Sequence, residues 1–173
     1  QCPHCQQDTL KSLGLGTELI EENIKTLFPN VRTARADRDE IQSKEDLENL
    51  IRVMENGEID ILVGTQMIAK GLDFPRLTLV GFILADVGFH FPDFRASERS
   101  FQLIVQMSGR AGRHRQISSG EVVIQTYNPL HESIVFSQTH DYEGFAKREL
   151  AEREKLFYPP YGRLAQIRIQ GLD

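Results

Sequence analysis

The chain has 173 residues, 40% apolar and 26% charged, which places it among globular proteins long enough for one ordinary core. No apolar run approaches the roughly eighteen residues of a membrane span, and the opening residues lack a cleavable-leader layout, so a cytoplasmic location is expected. The net charge of −5 argues against a protein that coats nucleic acid non-specifically, but the charge is unevenly spread. Between Glu40 and Asp60 there are seven acidic and two basic residues, whereas between Arg95 and Arg115 there are five arginines and one glutamate.

The chain opens Gln1-Cys2-Pro3-His4-Cys5 and is expected to be a piece of something longer. Cys2 and Cys5, its two cysteines, can be half of a thiolate zinc site, a redox dithiol or a chance pair. No apolar strand precedes them as a redox motif requires, so half a zinc site ranks first, with the remaining ligands expected upstream.

Thr9 to Leu13 predicts a short strand ending at Gly14-Leu15-Gly16-Thr17. Gly16 or Thr17 caps a helix whose Leu19, Ile20, Ile24, Leu27 and Phe28 recur at helical spacing, with Glu18, Glu21 and Glu22 early, where the dipole favours acids. Such a glycine-rich helix start either serves only the turn or offers free N–H groups to an anion. Val31 to Ala36 predicts a strand and Asp37-Arg38-Asp39-Glu40 a charged loop, within which Asp39-Glu40 reads as a solvated turn. Ser43 is expected to cap a covering helix, with Leu47, Leu50, Ile51 and Met54 inward and Gly57 stopping it.

Ile59 to Val63 reads as a buried parallel strand, which puts Gly64 and Thr65 at a strand end, where open α/β sheets place their sites. Leu77 to Asp86 is a longer apolar run, expected to be covered on both faces. Phe89 and Phe91 in the loop before Pro92 can stack on bases but more commonly anchor packing. A helix of about fourteen residues then runs from Phe94, with Phe101, Leu103, Ile104 and Met107 inward, and is expected to deliver Gln106, Arg110 and Arg113 to the strand-end face. Arg95 and Arg99 on the same helix are expected to pair with Asp86, Asp93 or Glu98.

The string Gly109-Arg110-Ala111-Gly112-Arg113 sets two guanidinium groups three residues apart, with glycines that permit close approach. Planar, permanently charged forks suit a phosphoryl group, although a flexible basic loop is the plainer alternative. Gly120 to Tyr127 predicts another buried strand, so strands and helices alternate, which implies a parallel sheet with right-handed crossovers. His131 to Phe157 is mostly helical, Tyr158-Pro159-Pro160-Tyr161 breaks the helix, and Leu164 to Ile169 alternates as a half-exposed strand.

Thr65-Gln66-Met67-Ile68-Ala69-Lys70-Gly71-Leu72-Asp73-Phe74-Pro75, followed about thirty residues later by Gln106-Met107-Ser108-Gly109-Arg110-Ala111-Gly112-Arg113, resembles motifs V and VI of the superfamily 2 helicases and translocases. Gly14-Leu15-Gly16-Thr17-Glu18, Pro92-Asp93-Phe94-Arg95-Ala96-Ser97-Glu98-Arg99 and Gly120-Glu121-Val122-Val123-Ile124-Gln125-Thr126-Tyr127-Asn128-Pro129 narrow the resemblance to the second motor lobe of PriA-type replication-restart helicases, as do His140-Asp141-Tyr142 and Tyr158-Pro159-Pro160-Tyr161.

The resemblance implies an α/β fold of the RecA-like kind, a parallel sheet with helices on both faces in three layers. Residues 1–8 would end a zinc-binding insertion, 9–130 form the motor lobe, 131–160 a helical extension and 161–173 the start of a following domain. Arg113 would be the finger on the γ-phosphate, with Arg110 assisting, Gln106 orienting the nucleotide or the attacking water, and Asp73 reaching the nucleotide sugar or bridging the lobes. Gly16, Thr17, Gly64, Thr65, Gln66 and Lys70 would contact DNA, and Cys2 and Cys5 would hold zinc. The phosphate cradle G-x-x-x-x-G-K-[ST] is absent, so ATP and magnesium are expected mainly on another lobe and this chain alone is expected to be inactive. Expected partners are single-stranded or forked DNA, the first lobe, primosome proteins and single-strand-binding protein. Two positions depart from the family pattern: Leu72, where many members carry histidine, and Leu84, where an aspartate often begins an Asp-Ala-Asp string. A non-catalytic binding module with the same fold and a RecG-like translocase lobe remain alternatives.

Overall fold

The computed structural model describes residues 16–37, 40–69, 74, 76–112, 120–165 and 167. By internal contacts the described chain divides into two units, one holding residues up to Val87 with Gln106–Thr126, the other Gly88–Val105 with Tyr127 onward.

The first unit begins with α1 (Thr17–Leu27), capped by the Gly16 backbone without a side-chain bond, and continues into β1 (Thr33–Ala36). Only Ile20 and Ile24 of the apolar stripe turn partly inward; Leu19, Leu27 and Phe28 are exposed, because α1 covers just β1 and β2. A capping box starts α2 (Lys44–Glu55): the Asp46 N–H donates to Ser43 Oγ at 3.1 Å and the Ser43 N–H donates to Asp46 Oδ2 at 2.8 Å. Gly57, at φ +71°, takes the left-handed turn that ends it, a conformation that costs glycine little.

β1 pairs in parallel with β2 (Ile61–Gly64), Ala36 opposite Gly64, and α2 makes the crossover between them. Arg32 and Asp60 tie the two strand entrances together: the Arg32 N–H and Nε both donate to Asp60 Oδ2 at 2.9 Å, and Nη2 donates to Oδ1 at 2.6 Å.

The second parallel pair is β3 (Leu79–Phe82) with β4 (Glu121–Ile124), Val80 opposite Val122. The expectation of two covered faces fails here. Leu79 is 54% and Val123 51% exposed, while Val80 is buried, so these strands cover one face only. An apolar run records both sides of a strand but not what lies over each.

Between β3 and β4 run α3 (Asp86–Phe89) and α4 (Ala96–Ser108), the latter with Phe101, Ile104 and Met107 buried. Ala96–Val105 belong to the second unit and Gln106–Ser108 to the first. The second unit adds α5 (Glu132–Gln138) and α6 (Tyr142–Lys155). Its centre is aromatic, with Phe145 stacked on Phe101 at 4.3 Å between centroids and Phe136 edge-on to Phe145. Phe89 stacks on His131 as a packing anchor, whereas Phe91 is exposed. Leu164, Ala165 and Ile167 carry no strand; the neighbours needed to judge the expected one lie outside the described residues. Among the described residues no helix is long and apolar enough to cross a membrane, and no three His, Cys, Asp or Glu gather as metal ligands.

Candidate nucleotide and DNA site

The described candidate residues lie in the first unit, at two backbone junctions. The first is where β1 and β2 end. Gly64 sits so close to β1 that an added Cβ would lie 2.7 Å from the Ala36 carbonyl oxygen and 2.9 Å from Ile68 Cδ1, so only glycine fits. Thr65 then opens a 3₁₀ turn over Gln66–Ala69, its carbonyl accepting from the Ile68 N–H at 3.2 Å, and Gln66 is exposed. Lys70, Gly71, Leu72 and Asp73 lie outside the described residues, as do Cys2, Cys5 and Arg113.

Beside this strand end the Thr17 hydroxyl donates to Asp37 Oδ2 at 2.6 Å. Asp37 also accepts from the Glu40 N–H at 3.1 Å and lies 3.7 Å from Arg35 Nε. It is buried, because β1 delivers it directly against the start of α1. Arg35 in turn reaches Glu40 at 2.7 Å and Glu18 at 3.7 Å, and the Glu40 hydrogen bond raises its already high pKa. Three carboxylates thus surround one guanidinium, and the Thr17 hydroxyl proton is taken. What remains for an anion at this end are the first N–H groups of α1, which the helix itself leaves without partners.

The second junction holds the arginine string. The Arg110 and Ala111 N–H groups donate to the Met107 carbonyl at 3.1 and 3.3 Å as α4 ends. Gly112 has φ +71°, and its N–H donates to the Leu77 carbonyl at 2.9 Å. Leu77 itself closes a turn onto Phe74, so the chain leaving the first motif and the chain leaving α4 meet at this carbonyl.

Gly120 lies against the Ala111–Gly112 peptide, where any Cβ would collide. Ala111 and Gly112 are therefore fixed beside the entrance of β3, not at its far end as expected for this segment. A helix that crosses between parallel strands must finish near the start of the next strand.

Gln106 is exposed. Among the described residues Arg110 Nη1 is the buried side-chain nitrogen or oxygen with no hydrogen-bond partner. A buried donor left unmet costs about 1–3 kcal/mol, so the position retains an unused capacity for an anion. A nucleoside triphosphate fits the Arg110 fork in that respect. The contacts of Asp37 and Leu77 carry no local signal, whereas Gly120 stands in one of the family strings as a glycine at a strand start.

These elements define an α/β lobe with parallel strand pairs. Residues 8–115 match the family described as helicase conserved C-terminal domain, and the chain belongs to that family. Over almost its whole length it is similar to proteins named Replication restart protein PriA: 48% identical over 168 residues to that of Bacillus subtilis, 49% over 166 to that of Treponema pallidum and 45% over 172 to that of a Synechocystis species. These alignments cover 97%, 96% and 99% of this chain but 21%, 25% and 20% of the relatives, so the chain spans about a fifth to a quarter of their length.

Proposed function

We propose that this chain is the second motor lobe of an ATP-driven 3′ to 5′ DNA helicase acting in replication restart, and that it completes a nucleotide pocket held mainly by a first lobe. The observation that carries the reading is the pairing of the family match with Arg110, whose fork has a buried, unmet donor. Arg113 is assigned the γ-phosphate, Arg110 the charge beside it and Gln106 the orientation of nucleotide or water; Asp73 reaches the sugar. ATP with magnesium supplies the phosphoryl group, and these residues bind and orient it and screen its charge.

The DNA backbone is assigned to the Gly64-Thr65-Gln66 turn with Lys70, and to the α1 start at Gly16 and Thr17 through backbone N–H groups. Cys2 and Cys5 are assigned one half of a zinc site. Partners of the whole protein are single-stranded or forked DNA, primosome proteins and single-strand-binding protein, in the bacterial cytoplasm.

The test is Arg113→Ala in the protein carrying both lobes. DNA-stimulated ATP turnover is expected to fall about a thousandfold or more, with circular dichroism and melting unchanged. Turnover within a few-fold of the parent would remove the finger assignment.

A further inference from the structure

The segment that carries Arg110 is tied at both ends within the first unit. Behind it, the carbonyl of buried Met107 accepts from the Arg110 and Ala111 N–H groups at 3.1 and 3.3 Å. Ahead of it, Gly112 turns at φ +71° and donates its N–H to the Leu77 carbonyl at 2.9 Å. Arg110 therefore sits on a short bridge between two fixed carbonyls.

Gly120 closes that bridge from the β4 side. A Cβ at this position would overlap the Ala111 carbonyl carbon and oxygen and the Gly112 nitrogen, whereas unstrained carbon contacts lie at about 3.5–4.0 Å. All three are backbone atoms of one peptide, so no flexible side chain can swing aside to make room. Gly120 is held as well: the next residue, Glu121, donates its N–H to the Thr78 carbonyl at 2.8 Å, which ties the start of β4 to the start of β3. Any side chain here has to push the Ala111–Gly112 peptide away from the Leu77 carbonyl by about 1 Å or more. Arg110 Nη1, meanwhile, is buried without an acceptor. Such a donor would gain by turning to water, and a backbone fixed at Met107, Leu77 and Gly120 limits how far it can turn.

We propose that Gly120 is a positioning residue: with the Leu77 carbonyl it clamps the Ala111–Gly112 peptide and so sets where Arg110 presents its guanidinium. The role rests on the reading of Arg110 as a cation on the nucleotide. Misplacements of about 1 Å can cost on the order of a hundredfold in rate.

The experiment compares Gly120→Ala, Gly112→Ala and Gly112→Asn in the protein carrying both lobes, and Gly120→Ala also together with Arg110→Met. Gly120→Ala is expected to lower DNA-stimulated kcat about tenfold or more, with KM for ATP within about threefold. Combined with Arg110→Met, the two losses are expected to fall short of their product by about fivefold or more, because the clamp acts through that side chain; a general loss of stability would multiply in full. Should Gly120→Ala not fold, Gly112→Ala, which makes the left-handed turn costly and loosens the bond to Leu77, gives the same readout, and Gly112→Asn, better tolerated at that φ, recovers part of the loss. Unchanged kcat in whichever of the two alanine variants folds, or losses that multiply fully with Arg110→Met, would overturn the positioning role. Should Arg110→Met itself leave kcat unaltered, the cation reading fails and the clamp's role with it, whereas a silent Gly120→Ala beside a damaging Arg110→Met removes the clamp's role alone.

Discussion

The two units of this chain bury different things. The second closes on an aromatic centre, with Phe145 2% exposed between Phe101 and Phe136, and satisfies its two most buried serines internally: Ser133 Oγ donates to the Ser97 carbonyl and Ser137 Oγ to the Ile134 carbonyl. The first leaves α1 without a buried residue, Leu79 and Val123 uncovered, and Arg110 Nη1 without an acceptor. The contrast shows where stability and function separate. A closed core tolerates no unmet group, whereas the first unit carries a buried guanidinium nitrogen without an acceptor and gives up some stability for it.

The most forceful way to break the contrast is to open the closed core. Phe145→Ala removes a ring with two aromatic neighbours and is expected to cost about 3–5 kcal/mol in urea unfolding. A cost below about 1 kcal/mol would mean that the second unit is no better packed than the first.

The converse change sharpens it. Arg110→Met keeps an aliphatic stem and removes the unmet donor, so the chain is expected to gain about 1 kcal/mol in unfolding free energy. The same variant, in the two-lobed protein, is expected to lose DNA-stimulated turnover. A stability loss of that size would show that the guanidinium already has a partner and that its capacity for an anion is spent.

Local signals were legible wherever one segment decides its own structure. Ser43 and Gly57 announced α2, and the helical spacing of Phe101, Ile104 and Met107 announced α4. The family motifs named Gln106 and Arg110. What stayed hidden depends on which segments meet.

Asp37 looked like one charge in a charged loop because nothing near it in the chain says that Thr17 will face it. Phe94 and Tyr158 looked like two unrelated family markers, and the fold makes them neighbours. Leu84 sits at φ +50°, a region that a branched apolar side chain adopts only at a cost, and nothing in its local sequence announced that turn.

The smallest effect tests the tie at the strand entrances. Hydrogen bonds from the Arg32 guanidinium and backbone lower the Asp60 pKa from 3.8 to about 2. A depressed carboxylate stabilises the fold fully above its unfolded pKa, and that contribution disappears as pH falls through the folded value. The chain is therefore expected to lose stability between about pH 4 and pH 2 from this pair. Asp60→Asn should flatten the slope in that window while costing little at pH 7, since both side chains are largely exposed at 56% and 42%. Melting temperatures of parent and variant across that range give the comparison. A slope that does not change on substitution would assign the acid sensitivity to the other lowered carboxylates, Asp93 beside Arg95 in the second unit foremost among them, and would leave the β1–β2 entrance held by its backbone pairing alone.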